Sequence, residues 1–177
     1  MPLESNDALN GLQVNLRAEA NVSRCMMIGL TVPVRKLDDE GNETSDPVRG
    51  RPCIKIGFSW RPLQTPKPDD PSIKWTFGMI DTGADIVAVN AGFANPRVAL
   101  KIPKKYWEAH TALGSGRIPI YDGHLVVTNG ARCIVIETEF AAANVGQGHQ
   151  VVLGRHFLRF VTYTHNCSYG IEKLTIG

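Results

Sequence analysis

Apolar residues in this chain come in short runs between breaker residues, a pattern that predicts strands and not long helices. The sequence L-Q-V-N-L-R-A at 12–18 alternates between apolar and polar positions, which is typical of a half-buried strand. Asn129-Gly130 is a strong signal for a two-residue hairpin turn. Pro33 indicates an edge position for the strand that contains it. The other predicted strands are 25–34, 54–60, 73–80, 86–89, 118–128, 131–140, 151–153, 161–164 and 171–176.

Two segments have the composition of a short helix. Residues 102–110 have Pro103 near their start, a position that suits a first helical turn, and residues 155–160 follow the apolar run 151–153 and Gly154. The segment Leu-Gly-Ser-Gly-Arg at 113–117 is too flexible for anything but the tip of a turn. The remaining breaker-rich segments are predicted loops, 37–50 and 61–72. The predicted fold class is therefore mainly β, with one or two short helices.

Length, charge and cysteine content limit the classes of protein to which this chain can belong. The 177 residues suffice for one domain with a core, and a net charge of +2 does not favour nucleic acid binding. No run reaches the ~18–20 apolar residues of a membrane span, and the polar N-terminus does not resemble a secretion signal, so we expect a cytoplasmic protein. The four cysteines include no C-x-x-C pair, and the five histidines include no H-x-x-x-H pair. We therefore expect reduced thiols, no metal and no cofactor.

One carboxylate stands in the middle of an apolar stretch, G-M-I-D-T-G-A-D-I-V-A-V-N at 78–90. Charged side chains are rarely buried without a partner. Asp81 therefore either ends the preceding strand as ordinary turn chemistry or is held in a place of low dielectric constant. Gly83, two positions later, allows a tight turn and the close approach of another molecule.

Two elements of the sequence together resemble a known family. The first is Asp81-Thr82-Gly83-Ala84 after an apolar strand, and the second is Val152-Leu153-Gly154-Arg155 before a short helix. This combination resembles the retropepsins, the retroviral-type aspartic proteases. The order of the segments also fits, because residues 114–127 are similar to the flap hairpin of that family and the strand after it, and residues 51–57 to its N-terminal strand.

The resemblance divides the chain and implies a role for each motif residue. Residues 51–177 would form a retropepsin-like protease domain, a closed β-barrel of the acid protease fold. Residues 1–50 would be an N-terminal extension, partly β, and its role is open between extra strands, a removable propeptide and a dimer arm. In the family the residues that match Asp85 and Arg155 form a structural ion pair, and Arg51 of a partner chain is a third candidate for it. The other implied roles are Asp81 for catalysis, Thr82 and Gly83 for support of the active site, and Gly83, Ala84, Asp85, Gly114, Ser115 and Gly116 for substrate binding.

The implied reaction, hydrolysis of a peptide bond, needs two carboxyl groups at one site. One takes a proton from water while the other protonates the peptide carbonyl, and two carboxyls about 3 Å apart share one proton because both cannot ionise together. The sequence holds one Asp-Thr-Gly and no second Asp-Thr-Gly or Asp-Ser-Gly. The second Asp81 must therefore come from a second copy of the chain. The resemblance thus predicts a homodimeric aspartic endopeptidase with its active site at the dimer interface.

Plainer interpretations stay open for each signal. The chain is alternatively a non-catalytic dimeric module that grips extended peptides by strand pairing, or a general β-barrel in which Asp-Thr-Gly is only a turn. Gly114-Ser115-Gly116 is alternatively an ordinary hairpin loop, and Asp85 and Arg155 are alternatively separate surface charges. His156 stands where the family has Asp or Asn, which predicts a weaker helix cap. The physiological substrate does not follow from the sequence, and we expect apolar side chains on both sides of the cleaved bond.

Overall fold

The computed structural model describes residues 29–46, 49–94, 101–111, 114–146, 148–166 and 171–177. These ranges contain eleven strands and two helices of one turn each. In chain order they are β1 (Leu30–Pro33), β2 (Arg35–Leu37), β3 (Arg51–Ser59), β4 (Lys74–Ile80), β5 (Val87–Asn90), α1 (Ala91–Ala94), β6 (Lys105–Thr111), β7 (Gly114–Thr128), β8 (Cys133–Ala143), β9 (Val151–Leu153), α2 (Arg155–Leu158), β10 (Val161–Asn166) and β11 (Ile171–Ile176).

Eight of these strands form one sheet that closes on itself. Their order is β2-β3-β4-β9-β5-β8-β7-β6, and a further pairing joins β3 to β7. That pairing closes the six strands from β3 to β7 into a barrel, with β2 and β6 attached outside the closure. Strand β9 lies between β4 and β5, parallel to β4 and antiparallel to β5. The strands β1, β11 and β10 form a separate antiparallel sheet in that order.

Aromatic side chains pack against one another in the barrel core. Phe58 on β3 and Phe140 on β8 are almost fully buried, and their rings meet edge to face with centroids 5.1 Å apart. Trp60 packs against both rings and donates its Nε1–H to the carbonyl oxygen of Ala94 at 2.7 Å. Burial of these large rings is a strong favourable term in folding. It gives the loops at the strand ends a rigid base.

The predicted fold class is confirmed: the protein is mainly β, with a closed barrel and two short helices. The hairpin predicted at Asn129-Gly130 joins β7 to β8, but its turn is longer than two residues. Thr128 pairs with Cys133, which leaves 129–132 in the turn. The side chain of Asn129 accepts hydrogen bonds from the N–H groups of Ala131 and Arg132 at 3.0 and 2.9 Å. An asparagine side chain that bonds its own backbone in this way stabilises the wider turn.

The prediction of a helical turn within 102–110 is wrong. The turn predicted over 113–117 is also wrong for residues 114–117, and residue 113 lies outside the described residues. Residues 105–111 form strand β6, which pairs residue by residue with the beginning of β7. Strand β7 starts at Gly114, so Gly114, Ser115 and Gly116 belong to the strand. Backbone pairing across the hairpin outweighs the flexibility of two glycines, and the aromatic pair Tyr106-Trp107 favours a strand over a helix.

Helix α1 was not predicted, although a signal for it exists in the sequence. The side-chain oxygen of Asn90 accepts hydrogen bonds from the N–H groups of Gly92 and Phe93, at 2.9 and 3.4 Å. This is the bonding of an asparagine N-cap. Asn90 ends β5 and at the same time starts α1.

The described part of residues 1–50 contributes to the same core as the predicted protease domain. Strand β1 pairs with β11, and β2 pairs with β3. Leu30 and Val32 of β1 are each 1% exposed, and β1 is an edge strand of its sheet, as Pro33 indicated. The strand predicted at 12–18 and the beginning of the one at 25–34 lie outside the described residues. The domain boundary at residue 50 stays a prediction.

Candidate functional site

Asp81 lies directly after the last residue of β4 and is tied to the neighbouring strand β9. Its N–H donates to the carbonyl oxygen of Leu153 at 3.2 Å, which continues the parallel pairing of Ile80 with Leu153. The carboxyl oxygen Oδ1 accepts a hydrogen bond from the N–H of Gly83 at 2.8 Å. The Asp81 side chain is half-buried. Asp81 thus both makes a turn and holds its carboxylate at the edge of the core.

The two residues after Asp81 face outward. Thr82 and Gly83 are exposed in the single chain. A Cβ on Gly83 would lie 3.2 Å from Oδ1 of Asp81, which is tighter than ordinary contact. The absence of a side chain at residue 83 therefore keeps one side of the carboxylate open to another molecule.

The loop that carries Asp81 is fixed by backbone contacts with the start of α2. The N–H of Arg155 donates to the carbonyl oxygen of Ala84 at 2.8 Å, and the N–H of His156 donates to that of Asp85 at 2.9 Å. A Cβ on Gly154 would overlap the carbonyl oxygen of Ile86 and would lie 2.7 Å from that of Ala84. Gly154 is therefore required by close packing of backbone against backbone. The two sequence elements, Asp-Thr-Gly-Ala and Leu-Gly-Arg, meet in space.

Asp85 and Arg155 are in direct contact. Nη2 of Arg155 donates to Oδ1 of Asp85, and the two side chains are 50% (Asp85) and 65% (Arg155) exposed. Helix α2 has Gly154 as its N-cap residue and no side-chain cap. An exposed ion pair contributes little to the free energy of unfolding. The Asp85–Arg155 pair therefore acts locally. It links the loop that carries Asp81 to α2 through side chains, in addition to the backbone hydrogen bonds.

Changing Arg155 to Lys tests the local role of this pair. A lysine keeps the charge but loses the planar fork of donors that grips a carboxylate. We expect Arg155→Lys to weaken the peptidase activity predicted from the sequence, or dimer formation, several-fold. The free energy of unfolding should change by less than about 1 kcal/mol. The control is Arg61→Lys, because Arg61 is exposed and lies outside the Asp81 loop. Equal and negligible effects of both changes on activity would show that Arg155 is only a surface charge.

A pocket of about 550 Å³ opens beside Asp81. Two of its lining residues, Arg51 and Asp39, face each other with Nε and Oδ1 3.9 Å apart. A third, His149, is a buried polar residue. The remaining lining residues are Pro52, Met79, Ile80, Asp81, Val145 and Gly146. Of the residues predicted for the site, Asp81 lines the pocket. Arg51, the third candidate for the ion pair, also lines it.

Sequence reasoning missed Asp39 and His149 as pocket residues. Asp39 lies in the polar segment 37–50, which the sequence predicts as a loop, and His149 is a single histidine before an apolar run. Neither belongs to a motif with a defined spacing. The two come together because a turn before β3 packs on the loop before β9, a tertiary contact without a local sequence signal.

The hairpin of β6 and β7 carries the predicted flap residues. Ser115 pairs with His110 and Gly114 with Thr111 in the backbone register. At the other end of the hairpin, Nζ of Lys105 lies 2.6 Å from Glu139 on β8. Nζ of Lys104 lies 2.9 Å from the same carboxylate. The hairpin is thus anchored to the barrel at its base, and its far end holds the residues predicted to contact substrate.

The charges at this anchor stabilise one another. Burial would raise the pKa of Glu139, but hydrogen bonds from Lys105 and Lys104 outweigh it and hold the pKa below its usual value. Hydrogen bonds to Glu139 and Asp122 raise the pKa of Lys104. Glu139 and Lys104 therefore both remain charged between mildly acidic and neutral pH.

Other kinds of site find no support in the described ranges. No group of three His, Cys, Asp or Glu side chains there is placed to hold a metal ion. Burial raises the pKa of the Cys53 thiol to about 12, so this cysteine is not a nucleophile near neutral pH. No helix within the same ranges is long and apolar enough to cross a membrane.

Comparison with known proteins finds similarity to solved structures but none in sequence. No protein-family model matches the chain, and no curated protein matches it in sequence. Among solved structures, the chain is similar to the solution structure of the simian foamy virus (mac) protease, with 15% sequence identity and a TM-score of 0.39. The similar region covers 61% of this chain and 92% of that one.

Proposed function

We propose that this protein is an aspartic endopeptidase of the retropepsin type that acts as a homodimer. The observation that carries the proposal is the placement of Asp81: a half-buried carboxylate at the end of a barrel strand, held by the N–H of Gly83, at the edge of a pocket. A turn with no other function has no need to hold a charged group beside a cavity. The chain has one such motif, so a second copy supplies the other carboxylate.

The reaction follows from two Asp81 side chains that share one proton. The ionised carboxylate takes a proton from a water molecule while the water oxygen attacks the carbonyl carbon. At the same time the protonated carboxyl of the other chain donates its proton to the carbonyl oxygen. A neutral tetrahedral diol forms. The diol then collapses as a hydroxyl returns its proton to one carboxylate and the peptide nitrogen receives a proton from the other carboxyl. The C–N bond breaks, an acid and an amine leave, and the pair again holds one proton.

The neighbours of Asp81 have supporting roles in this proposal. Thr82 and Gly83 are exposed in the single chain, and we place them against the same residues of the second chain. Gly83, Ala84 and Asp85 would line the path of an extended peptide. The backbone at Gly114–Gly116 would cover it from the other side and add it to the sheet as an extra strand. Arg51 would serve the same path from the pocket, where its Nε lies 3.9 Å from Oδ1 of Asp39 in the same chain, and not the Asp85–Arg155 pair of the other chain.

A second candidate is a dimeric module that binds extended peptides without cleaving them. The same pocket and hairpin would serve that function. The half-buried carboxylate of Asp81 favours the enzyme, because a pure binder gains nothing from it. A statine-type inhibitor, which mimics the tetrahedral intermediate, separates the candidates. It raises the melting temperature of a protease more than the matched peptide without the statine hydroxyl does, whereas a pure binder is stabilised equally by both and an unrelated barrel by neither.

Dependence on chain concentration tests the proposed dimer. Hydrolysis of a peptide library is measured at decreasing protein concentration, with sedimentation in parallel. We expect activity per chain to fall as dimer gives way to monomer, because a monomer holds one carboxylate of the pair. The profile of activity against pH should be bell-shaped, since the pair works with one shared proton. Constant activity per chain across that dissociation would rule out the two-chain site.

The proposed flap makes a prediction for hydrogen exchange. A hairpin that is anchored at its base through Lys104, Lys105 and Glu139 should open for substrate and close over it at its far end. We expect the amides of 114–122 to exchange more slowly once a statine-type inhibitor is bound. The internal control is the β7–β8 hairpin turn at 129–132, where exchange should not change. Unchanged exchange at 114–122 with the inhibitor demonstrably bound would show that the hairpin is not a flap.

A further inference from the structure

The pocket beside Asp81 contains a buried imidazole that the proposed reaction does not use. His149 is 6% exposed and lines the pocket. Its Nε2 has no hydrogen-bond partner within the part of the chain that the structure describes. A buried ring nitrogen without a partner has lost its bond to water and gained none in return. At the wall of a cavity, such a group is a place for a bound molecule to supply the missing bond.

The loop before His149 is held in place by a turn from the N-terminal side of the barrel. Gly148 has a φ of +76°, and a Cβ there would overlap the carbonyl oxygen of Asp39. The turn that carries Asp39 is itself rigid, because Oδ1 of Asp38 accepts hydrogen bonds from the N–H groups of Glu40 and Asn42 at 3.1 and 2.7 Å. The backbone next to His149 is therefore held in place, and the side chain has to turn by a small amount for Nε2 to meet a molecule in the pocket.

The charges of the pocket indicate which group fits. Arg51 and Asp39 contribute one charge of each sign, 3.9 Å apart, and Asp81 contributes the catalytic carboxylate. A ligand with a positive or a negative charge would be attracted by one of these groups and repelled by another, and it would also lose its hydration. A carboxamide is neutral and carries both a donor and an acceptor. It can bond the imidazole and the Arg51–Asp39 pair together.

We propose that this pocket is a specificity subsite for a substrate side chain that ends in a carboxamide, glutamine or asparagine, with His149 as the residue that recognises it. The inference rests on the proposed peptidase function and refines it. At this one subsite a polar side chain replaces the apolar one expected from the sequence. The apolar stem of glutamine packs on Pro52, Met79 and Ile80, and its carboxamide reaches the imidazole.

Cleavage profiles of three variants test the role of His149. His149→Leu removes the ring nitrogens, and His149→Gln restores a hydrogen-bonding group. His124→Leu is the matched control, because His124 on β7 is also largely buried with an unpartnered ring nitrogen but does not line the pocket. We expect wild type, His149→Gln and His124→Leu to favour Gln over Met at one position by about tenfold in kcat/KM. His149→Leu should lose this preference. A wild type without it, or a His149→Leu variant that keeps it, overturns the subsite.

A binding measurement decides the same point without catalysis. The full chain with Asp81→Asn keeps His149, and its histidine ring nitrogens are followed by NMR. The probes are N-acetyl-glutamine methylamide and, as apolar control, N-acetyl-methionine methylamide. A saturable shift of the His149 signal with the first probe alone supports the subsite even if no cleavage is found. No shift with the glutamine probe overturns it even if the protein proves to be a peptidase, so the two proposals fail separately.

Discussion

Asp81→Asn is expected to lower kcat/KM for peptide hydrolysis by about 10²–10⁴-fold, the range that positioned acid–base groups contribute. Asparagine has the shape of aspartate, and its side-chain oxygen can still accept the hydrogen bond from the N–H of Gly83. The fold and the dimer should therefore persist. What is lost is the proton exchange, because an amide neither takes a proton from water nor gives one to the peptide.

The measurement is hydrolysis of a peptide library by both proteins at equal dimer concentration. Asp69→Asn serves as the control, since Asp69 is a carboxylate in the loop between β3 and β4, outside the pocket lining. That variant should retain wild-type activity. If Asp81→Asn digests the library at the wild-type rate, Asp81 is not the catalytic carboxylate and the peptidase proposal fails.

Gly154→Ala is expected to cause a larger loss of stability than the substitutions at Asp81 and Arg155. The added Cβ meets the carbonyl oxygens of Ile86 and Ala84, which are backbone atoms and cannot rotate away. Overpacking against rigid neighbours costs about 1–3 kcal/mol, and we expect the upper end of this range. For a chain of this size that lowers Tm by about 6–12 °C. Activity should fall as well, because the Asp81 loop and β9 are forced apart.

Gly116→Ala is the matched control for Gly154→Ala. No atom lies within 4 Å of a Cβ built on Gly116, so the substitution meets no obstacle. Thermal unfolding of both variants is the measurement, and we expect Tm of Gly116→Ala to stay close to that of wild type. An unchanged Tm in Gly154→Ala would show that the backbone of residues 84–86 can move to accept the added Cβ at no cost, which would contradict this prediction.

Much of the fold was predictable because short apolar runs and turn residues determine where strands begin and end. The strands around Asp81 and the helix after Gly154 follow from local sequence alone. The error at 102–117 has a physical reason: strand β6 is stabilised by pairing with β7, and local flexibility at Gly114 and Gly116 does not reveal that pairing. Tertiary contacts of this kind override local propensity.

The candidate site was also predictable only in part, because some of its residues belong to sequence motifs and others are placed by tertiary contacts. Asp81 and Gly83 carry a recognisable spacing, and the contact of Asp85 with Arg155 joins two recognisable motifs across the chain. Asp39 and His149 carry no such signal. They line the pocket because the backbone of Gly148 packs against that of Asp39, which places a turn from before β3 next to a loop from before β9. A sequence pattern contains no information about that contact.

Mixing of chains tests the central claim, an active site built from two Asp81 residues of two chains. Wild-type chains are combined with a tenfold excess of Asp81→Asn chains under conditions that allow exchange, and mixed dimers are verified by native mass spectrometry. Random pairing leaves about a tenth of the wild-type chains with a wild-type partner. The two-chain site therefore predicts that activity per wild-type chain falls to about a tenth, while an equal excess of Asp69→Asn chains does not reduce it. Unchanged activity in the presence of mixed dimers would contradict the account.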